Sequence, residues 1–345
     1  MKILIDAMGG DLAPKAPVLG ALEAQKKYGC EITLIGQEEA IRSVLAEANL
    51  SRLPQGVEIR NATQVVEICD NPSTAWRRKK DSSLTVGLNQ LKDGEGDAFL
   101  SAGSTGAILA AATLLVKRIP GIRRAAVAPV VPTQSGRAVL IDAGANADCT
   151  EEYMMQFAFM GSFYARQVLG VDKPRVGLLN IGAEPSKGNE QYKRVHQLLQ
   201  SADDQGRIHF IGNLEGSSAV EGAADVIVCD GFVGNIFLKT LEGTASFLLH
   251  ELKGAFFTNL ATKISALMLK NHLSGLKKKL DPREVGGTAL LGIQKPVIKA
   301  HGSSDAYAIC SAVGQAIQFA QSSLVEDIAG NIDSMTVEQP QEAQQ

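Results

Sequence analysis

Short apolar segments that each end in a polar, glycine-containing turn recur along the chain. The segments are KILIDAMGG, AFLSAGSTG, RAVLIDAGAN, VGLLNIGAE, HFIGNLEG and VIVCDGFVGN. Apolar runs of this length are typical of buried strands in a parallel sheet. Because ligands of parallel α/β proteins bind outside the carboxyl ends of the strands, these turns predict one polar crevice.

Helical segments alternate with these strands and define the expected domain. Helices are predicted for APVLGALEAQKKYG, QEEAIRSVLAEA, SSLTVGLNQLKDG, GAILAAATLLVKRI and the stretch from Thr150 to Leu169. This alternation predicts a single, mostly parallel α/β domain over residues 1–330. The Thr-Gln-Ser-Gly sequence at 133–136 favours a hairpin and a soft subdomain boundary. We expect mainly helices after Asn235, and a frayed polar tail at 331–345.

Composition narrows the class of protein. Of 345 residues, 45% are hydrophobic and 21% are charged, which favours an ordinary globular chain without a membrane span. The net charge of -3 and aromatic content of 5% argue against a nucleic-acid partner. The five cysteines lack metal-ligand spacing and predict reduced thiols. Without a secretory signal pattern at Met1, we expect a cytoplasmic protein.

The turn SAGSTG, residues 101–106, is the strongest candidate for an anion site. It places two glycines and the hydroxyls of Ser104 and Thr105 between a strand and an apolar helix. Backbone N–H groups at a helix start stabilise phosphate. The turn lacks the lysine of a P-loop and the dinucleotide fingerprint. The alternative is a tight turn with an ordinary hydroxyl cap.

Two residues are the candidates for catalysis. Lys187 is the only lysine in these turns, and its charge can hold phosphate or stabilise an oxyanion. A solvated loop lysine is the alternative. The amide of Asn235 can donate to the same oxyanion. No activated serine motif is present, and Cys69 and Cys149 have no evident partner base, so covalent catalysis is disfavoured.

The candidate substrate-binding residues are the polar and glycine residues of the turns, together with one histidine. They are Asp6, Gly9, Gly10, Ser101, Gly103, Ser104, Thr105, Gly106, Asn146, Asn180, Asn213, Glu215, Asp230 and His301. Asp230 can instead cap the helix that follows it. Asp6 and Asp11 can bind a metal, orient a lysine or cap a helix, although their spacing specifies no metal. His301 can act as a general acid or be structural.

A basic amphipathic segment spans residues 253–280, which contain no acid between Lys253 and Leu280. Helical spacing places apolar residues on one face with lysines beside it: Phe256, Phe257, Leu260, Lys263, Ile264, Leu267 and Lys270. Such a helix can lie on an anionic membrane or dock an acidic protein. The alternative is packing against the body of the protein or a second subunit.

The motifs DAMGGD, SAGSTGA, DAGAN, NIGAEPSKGNE, GNLEG, DGFVGN, LKTLEG, GGTALLG and KAHGSSD occur together in this order. In this respect the chain resembles, over nearly its full length, the bacterial phosphate acyltransferase (PlsX) family of phospholipid synthesis. Ser104 departs from that family, which usually has Asn there. The resemblance implies a Rossmann-like three-layer fold, similar to phosphotransacetylases and decarboxylating isocitrate dehydrogenases, and usually a homodimer.

The same resemblance implies an activity. Family members convert acyl-[acyl carrier protein] and inorganic phosphate to acyl phosphate. For this chain we expect no metal or other cofactor. The resemblance implies Lys187 and Asn235 for catalysis, and the SAGSTG turn, Asn146 and Asn213 for phosphate or pantetheine. It also favours the membrane interpretation of residues 253–280, and a membrane glycerol-3-phosphate acyltransferase as a further partner.

The run Arg77, Arg78, Lys79 and Lys80 can meet the acidic carrier protein, or form a solvated face. A phosphotransacetylase or nicotinamide-dependent dehydrogenase on the same fold, and a membrane-recruited scaffold, are the rival interpretations.

Overall fold

Two mostly parallel sheets organise the residues that the computed structural model describes, namely 1–50, 52–256, 258–259, 269, 275, 279 and 281–336. The first sheet has the order β3-β2-β1-β4-β12-β11-β5. Its strands are β1 (Lys2–Asp6), β2 (Glu31–Gly36), β3 (Val57–Asn61), β4 (Ala98–Ser101), β5 (Ala126–Ala128), β11 (Gly287–Leu291) and β12 (Val297–Ala300). In this sheet β11 is antiparallel to both of its neighbours.

The second sheet has the order β6-β7-β10-β8-β9. Its strands are β6 (Val130–Pro132), β7 (Arg137–Ile141), β8 (Val176–Leu179), β9 (Phe210–Leu214) and β10 (Val226–Val228). The predicted hairpin at 133–136 is confirmed, since it joins the antiparallel pair β6 and β7. The chain passes between the two sheets at Pro129.

Helices cover the faces of both sheets. They are α1 (Lys15–Tyr28), α2 (Glu38–Glu47), α3 (Ala75–Arg78), α4 (Ser83–Lys92), α5 (Thr105–Ala111), α6 (Glu151–Gln167), α7 (Glu190–Asp204), α8 (Gly216–Glu221), α9 (Gly231–Phe256), α10 (Ala306–Gln321) and α11 (Leu324–Gly330). The polar residue before several helices caps the first turn: Thr150, Asn189 and Asp305 accept hydrogen bonds from the backbone N–H three residues later. The predicted α/β class is confirmed.

The expectation of mainly helical structure after Asn235 is wrong in one respect. Residues 287–291 and 297–300 form β11 and β12, which fill the space between β4 and β5 in the first sheet. Both segments are too short for periodicity to separate strand from helix. They become strands because their backbone groups complete the hydrogen bonding of β4 and β5, which would otherwise be sheet edges.

The turns singled out from the sequence fall on two edges rather than one. β5 runs parallel to β4 and β12, while its continuation β6 runs antiparallel to β7. The parallel strands of the first sheet therefore have their carboxyl ends near the end of the segment 126–132. Those of the second sheet have their carboxyl ends near its beginning. We call them the first edge, with Asp6, Ser101 and Lys299, and the second edge, with Asp142, Asn180 and Asp230.

Helix α9 connects these two edges. It begins directly after β10 and packs along the second sheet through residues that include Val233, Phe237 and Leu241. No described helix is long and apolar enough to span a membrane. Of the residues predicted to contact a membrane, Phe256 is half-buried at the end of α9. The others, Phe257, Leu260, Lys263, Ile264, Leu267 and Lys270, lie outside the described residues.

Candidate active site

Asp6 is a buried carboxylate that holds the loops of the first edge together by hydrogen bonds. Its side chain is buried, and Oδ2 accepts a 2.6 Å hydrogen bond from Ser101 Oγ. Oδ1 accepts a 3.1 Å bond from the backbone N–H of Met8. Burial raises the pKa of the Asp6 carboxyl, and the hydrogen bond from Ser101 opposes that rise. Asp6 therefore ties the loop after β1 to the end of β4, with both of its oxygens engaged within the protein.

Gly9 lets these two loops approach each other. A Cβ at this position would lie 2.6 Å from Asp6 Oδ2 and 2.8 Å from Gly103 N. Gly103 N itself donates to Ser101 Oγ at 3.1 Å. Gly10 follows with a φ of 103°, a conformation that favours glycine. The glycines of DAMGGD and SAGSTG thus serve close packing of the two loops.

Two hydroxyls of the SAGSTG turn, those of Ser104 and Thr105, are open to a ligand. Ser104 is the residue before α5 but makes no side-chain capping hydrogen bond, so the interpretation of Ser104 as an ordinary hydroxyl cap is wrong. Within the described part of the chain, the Thr105 hydroxyl also has no hydrogen-bond partner. Gly106 packs against Pro72, whose Cβ lies 3.1 Å from where a Gly106 Cβ would be. The loop before α3 therefore borders this turn.

Two ionisable residues of the segment KAHGSSD complete the first edge. Burial, and then the charge of Lys239, lower the pKa of Lys299 to about 8. Partial burial, Lys299 and Lys239 likewise lower the pKa of His301, so its imidazole is neutral at pH 7. Ser303 N donates to His301 Nδ1 at 3.3 Å, which leaves the ring proton on Nε2. Sequence reasoning identified His301 but missed Lys299, although a lysine at a strand end was a usable signal.

The second edge is built on another buried carboxylate. Asp142 accepts hydrogen bonds from Val127 N at 2.9 Å and from Asn146 N at 2.7 Å. Asn146 Nδ2 donates to Asp142 Oδ2 at 3.0 Å and to Ala125 O at 2.9 Å. Burial raises the pKa of the Asp142 carboxyl. Both N–H bonds of the Asn146 amide are therefore used to hold this turn.

Asp230 caps α9. Its Oδ1 accepts a 2.8 Å bond from Val233 N, and its Oδ2 accepts a 2.6 Å bond from Tyr192 Oη. Burial and the neighbouring Asp230 raise the pKa of the Tyr192 hydroxyl. The capping alternative for Asp230 is thus confirmed.

Two asparagines shape the loop that carries Lys187. Asn180 Nδ2 donates to Lys187 O at 3.2 Å, and Asn180 Oδ1 accepts from Ile181 N at 2.8 Å. Asn213 Nδ2 donates to Glu184 O at 2.8 Å. Their amides brace the loop between β8 and α7.

The side chains of Lys187 and Asn235 remain open at the second edge. Both are exposed, and no described residue hydrogen-bonds to Lys187 Nζ or to the Asn235 amide. Asn235 lies in the first turns of α9, and its Cβ is 3.6 Å from where a Cβ at Gly144 would be. Glu215 is also exposed and makes no side-chain cap of α8.

One face of α9 joins the two edges. Asn235, Lys239 and Glu242 are spaced at i, i+4 and i+7, so they lie along the same face over about 10 Å. Lys239 Nζ is 2.8 Å from Glu242 Oε2. The charges of both residues act on Lys299 and His301 of the first edge. The open polar groups of the two edges are therefore linked by this helix face.

The cysteines near the second edge are not activated nucleophiles. Burial raises the pKa of Cys149 to about 12 and raises that of Cys229 well above its ordinary value. A thiol with a raised pKa holds its proton at neutral pH. Within the described residues, no group of three or more His, Cys, Asp or Glu side chains could hold a metal ion.

The basic run at 77–80 lies near the first edge. The loop before α3 contacts α5 through Pro72, and α3 itself also contacts α5. Arg77, Arg78 and Lys80 are exposed, and the Arg77 guanidinium lies 5.2 Å from the centre of a Trp76 ring. Lys79 differs, because its Nζ is 2.6 Å from Asp70 Oδ2. Three of the four cations therefore face solvent.

Comparisons with known proteins agree on one family. A family model described as "Fatty acid synthesis protein" matches residues 1–327. The phosphate acyltransferase of Thermoanaerobacter pseudethanolicus is 47% identical over 336 residues, which are 97% of this chain and 98% of that protein. The phosphate acyltransferase of Bacillus cereus strain B4264 is 45% identical over 340 residues, 98% of this chain and 100% of that protein.

Solved structures show the same fold at low identity. A phosphotransacetylase from Streptococcus pyogenes has a TM-score of 0.62 at 18% identity, covering 93% of this chain and 94% of that one. A 4-hydroxythreonine-4-phosphate dehydrogenase from Klebsiella pneumoniae has a TM-score of 0.54 at 14% identity, covering 93% and 99%. The predicted likeness to the phosphotransacetylase fold is confirmed.

Proposed function

Since the chain belongs to the phosphate acyltransferase family, we propose that it transfers the acyl group of a long-chain acyl-[acyl carrier protein] to inorganic phosphate. The protein is an acyltransferase. The products would be acyl phosphate and the free carrier protein. A membrane glycerol-3-phosphate acyltransferase would then use the acyl phosphate in phosphatidic acid synthesis.

One observation carries the assignment of residues. At the second edge, Asp142, Asn146, Asn180 and Asp230 are engaged in bonds within the protein. Among the described residues, the side chains of Lys187 and Asn235 are not. An ammonium and an amide with free donors are the groups that stabilise an oxyanion on a thioester carbonyl.

The reaction then needs no protein nucleophile. A phosphate oxygen attacks the thioester carbonyl, and Lys187 and Asn235 stabilise the tetrahedral oxyanion. Collapse of this intermediate breaks the C–S bond, and the carrier thiolate takes the proton of the hydrogen phosphate. Phosphate is anionic at neutral pH and a thiolate is a good leaving group, so positioning and oxyanion stabilisation supply the catalysis.

The proposed partners follow from surface charge and apolarity. The exposed cations at 77–80 would meet the acidic carrier protein beside the first edge. Phe247, Leu248 and Leu252 are exposed on α9, with Lys253 next to them. This surface would contact an anionic membrane from the cytoplasmic side, or a second subunit of a homodimer.

The first test supplies purified protein with long-chain acyl-[acyl carrier protein] and phosphate, and measures acyl phosphate and carrier thiol together. We expect both products in equal amounts, and only when both substrates are present. Product from acyl coenzyme A but not from the carrier protein would instead support a phosphotransacetylase.

The second test replaces Lys187 with Ala. Loss of an oxyanion donor should lower kcat/KM about a hundredfold or more. Lys193→Ala is the matched control, because Lys193 is on the following helix and pairs with Glu190 at 2.9 Å. Equal activity of the Lys187→Ala and wild-type enzymes would refute the role assigned to Lys187.

A further inference from the structure

A row of polar side chains crosses the first sheet at its carboxyl edge. Lys299 of β12 is in register with Ser101 of β4 and with Thr288 of β11. Residues two positions away on the three strands, Phe99, Val297 and Leu290, all belong to the same hydrophobic cluster. Since side chains alternate between the two faces of a sheet, the side chains of Ser101, Lys299 and Thr288 point to one face.

Lys299 has no counter-ion in this row. Its side chain is half-buried, and among the described residues Nζ has no ion-pair or hydrogen-bond partner. Ser101, its neighbour on β4, is uncharged, and its hydroxyl donates to Asp6 and accepts from Gly103 N. A partly buried cation without a partner is costly unless an anion binds it.

The charges around Lys299 are of both signs, and among the described residues none of them forms an ion pair with its ammonium. The groups that act on Lys299 are Lys239 and Glu242 of α9 and Asp11 of the loop after β1, with His301 next to it on the chain. Glu242 is paired with Lys239, and the pKa of His301 is lowered, so its ring is neutral at pH 7. Lys239 also acts to lower the pKa of Lys299, which a bound dianion would reverse.

Hydroxyl donors accompany the cation. In the described residues the hydroxyls of Ser104, Thr105 and Thr288 have no hydrogen-bond partners. Ser104 and Thr105 closely follow the β4 strand that pairs with β12, and Thr288 is the in-register neighbour of Lys299. An ammonium together with several free hydroxyls suits the oxygens of a phosphate dianion.

We propose that Lys299 is the cation that binds the inorganic phosphate substrate, with the hydroxyls of Ser104, Thr105 and Thr288 as further donors. This inference rests on the proposed function for the identity of the anion. It assigns phosphate to the first edge, and leaves Lys187 and Asn235 for the carbonyl of the thioester. The α9 face that carries Asn235 and Lys239 brings the two substrates together.

The test is Lys299→Met in the full chain, with Lys295→Met as the matched control. Lys295 is exposed on the same segment, before β12. For Lys299→Met we expect the KM for phosphate to rise about tenfold or more. The KM for the acyl carrier protein should stay within about twofold, and Lys295→Met should match the wild type. An unchanged KM for phosphate, or a rise in the KM for the carrier alone, would overturn the proposal.

The pH profile separates binding from a structural effect. The wild-type kcat/KM for phosphate should fall above pH of about 8, where Lys299 loses its proton. Lys299→Arg keeps its charge at alkaline pH, so this fall should disappear. If kcat/KM for phosphate fell in the same way above this pH in Lys299→Arg, deprotonation of Lys299 would be excluded as the cause of the fall.

Direct binding of inorganic phosphate, measured by phosphorus NMR on wild type and Lys299→Met, does not depend on turnover. Phosphate binding lost in the variant, with no acyl phosphate formed by the wild type, would retain the anion site and reject the proposed function. Equal phosphate binding by both proteins would reject the anion site alone.

Discussion

Polar residues at the two edges divide into those that hold the loops and those that face a ligand. Asp6 and Asp142 are buried and accept several hydrogen bonds each. Lys187 and Asn235 are exposed and have no described partner. The division is physical, because a buried polar group must be hydrogen-bonded within the protein. Substitution at the two kinds of position should therefore affect different quantities.

For a residue that holds a loop, the clearest test is Tyr192→Phe. Removing the hydroxyl deletes the 2.6 Å hydrogen bond to Asp230, the residue that caps α9. A bond to a charged group contributes about 1.5–3 kcal/mol. We expect the free energy of unfolding to fall by about that amount in urea denaturation.

Tyr153→Phe provides the control for that measurement. The ring of Tyr153 stacks under Arg124, and its hydroxyl has no hydrogen bond among the described residues. Its stability should stay within about 0.5 kcal/mol of the wild type. A loss of equal size in both variants would mean that the bond to Asp230 contributes nothing specific.

At the scale of elements, the start of α9 packs closely against the end of β7 and the end of β10. A Cβ at Gly234 would lie against the Asp142 carbonyl and 2.8 Å from Cys229 Sγ. In Gly234→Ala the new methyl would overlap the Asp142 carbonyl oxygen, so α9 must shift and carry Asn235 with it. We expect the free energy of unfolding to fall by about 1–3 kcal/mol, and kcat/KM to fall with it.

Gly243 gives the opposite expectation on the same helix. A Cβ at Gly243 meets nothing within 4 Å. Gly243→Ala should therefore stabilise the protein by about 0.5–1 kcal/mol, because alanine loses less backbone entropy in a helix. If both alanine variants were equally active and stable, the close packing of α9 against Asp142 would contribute neither to stability nor to activity.

The sequence indicated most elements, because long apolar runs and helix-period segments report burial directly. β1, β4, β7, β8 and β10 could be predicted from such runs. β11 and β12 could not be predicted in this way. They form strands because the tertiary fold positions them between β4 and β5. Lys299 is a different case, because the sequence shows a lysine at the end of an apolar run, and only its position beside Ser101 of β4 requires the fold.

The separation of the turns into two edges also required the fold. Each strand-turn segment has the same local pattern, and nothing local reports the direction of β6 relative to the first sheet. The reversal arises at the hairpin at 133–136, after which β7 runs antiparallel to β6. The capping role of Asp230, in contrast, is a local property, and it was correctly anticipated as an alternative.

At the scale of the whole molecule, charge is distributed unevenly although the net charge is only -3. The exposed cations at 77–80 lie beside the loop that packs on α5, next to the proposed phosphate site. An acidic carrier protein attracted to this surface would dock beside the first edge and present its thioester to the face of α9 that leads to Asn235. Electrostatic attraction of this kind weakens as salt screens the charges.

The double variant Arg77→Glu/Arg78→Glu tests this arrangement. Reversal of both charges should raise the KM for the acyl carrier protein about fivefold or more at low salt, and leave the KM for phosphate within about twofold. Lys26→Glu/Lys27→Glu changes the net charge equally in the last turn of α1, where both lysines are exposed. Only the first pair should remove the salt dependence of carrier binding. Equal effects of both pairs would mean that overall charge, rather than a docking surface beside the first edge, governs the encounter.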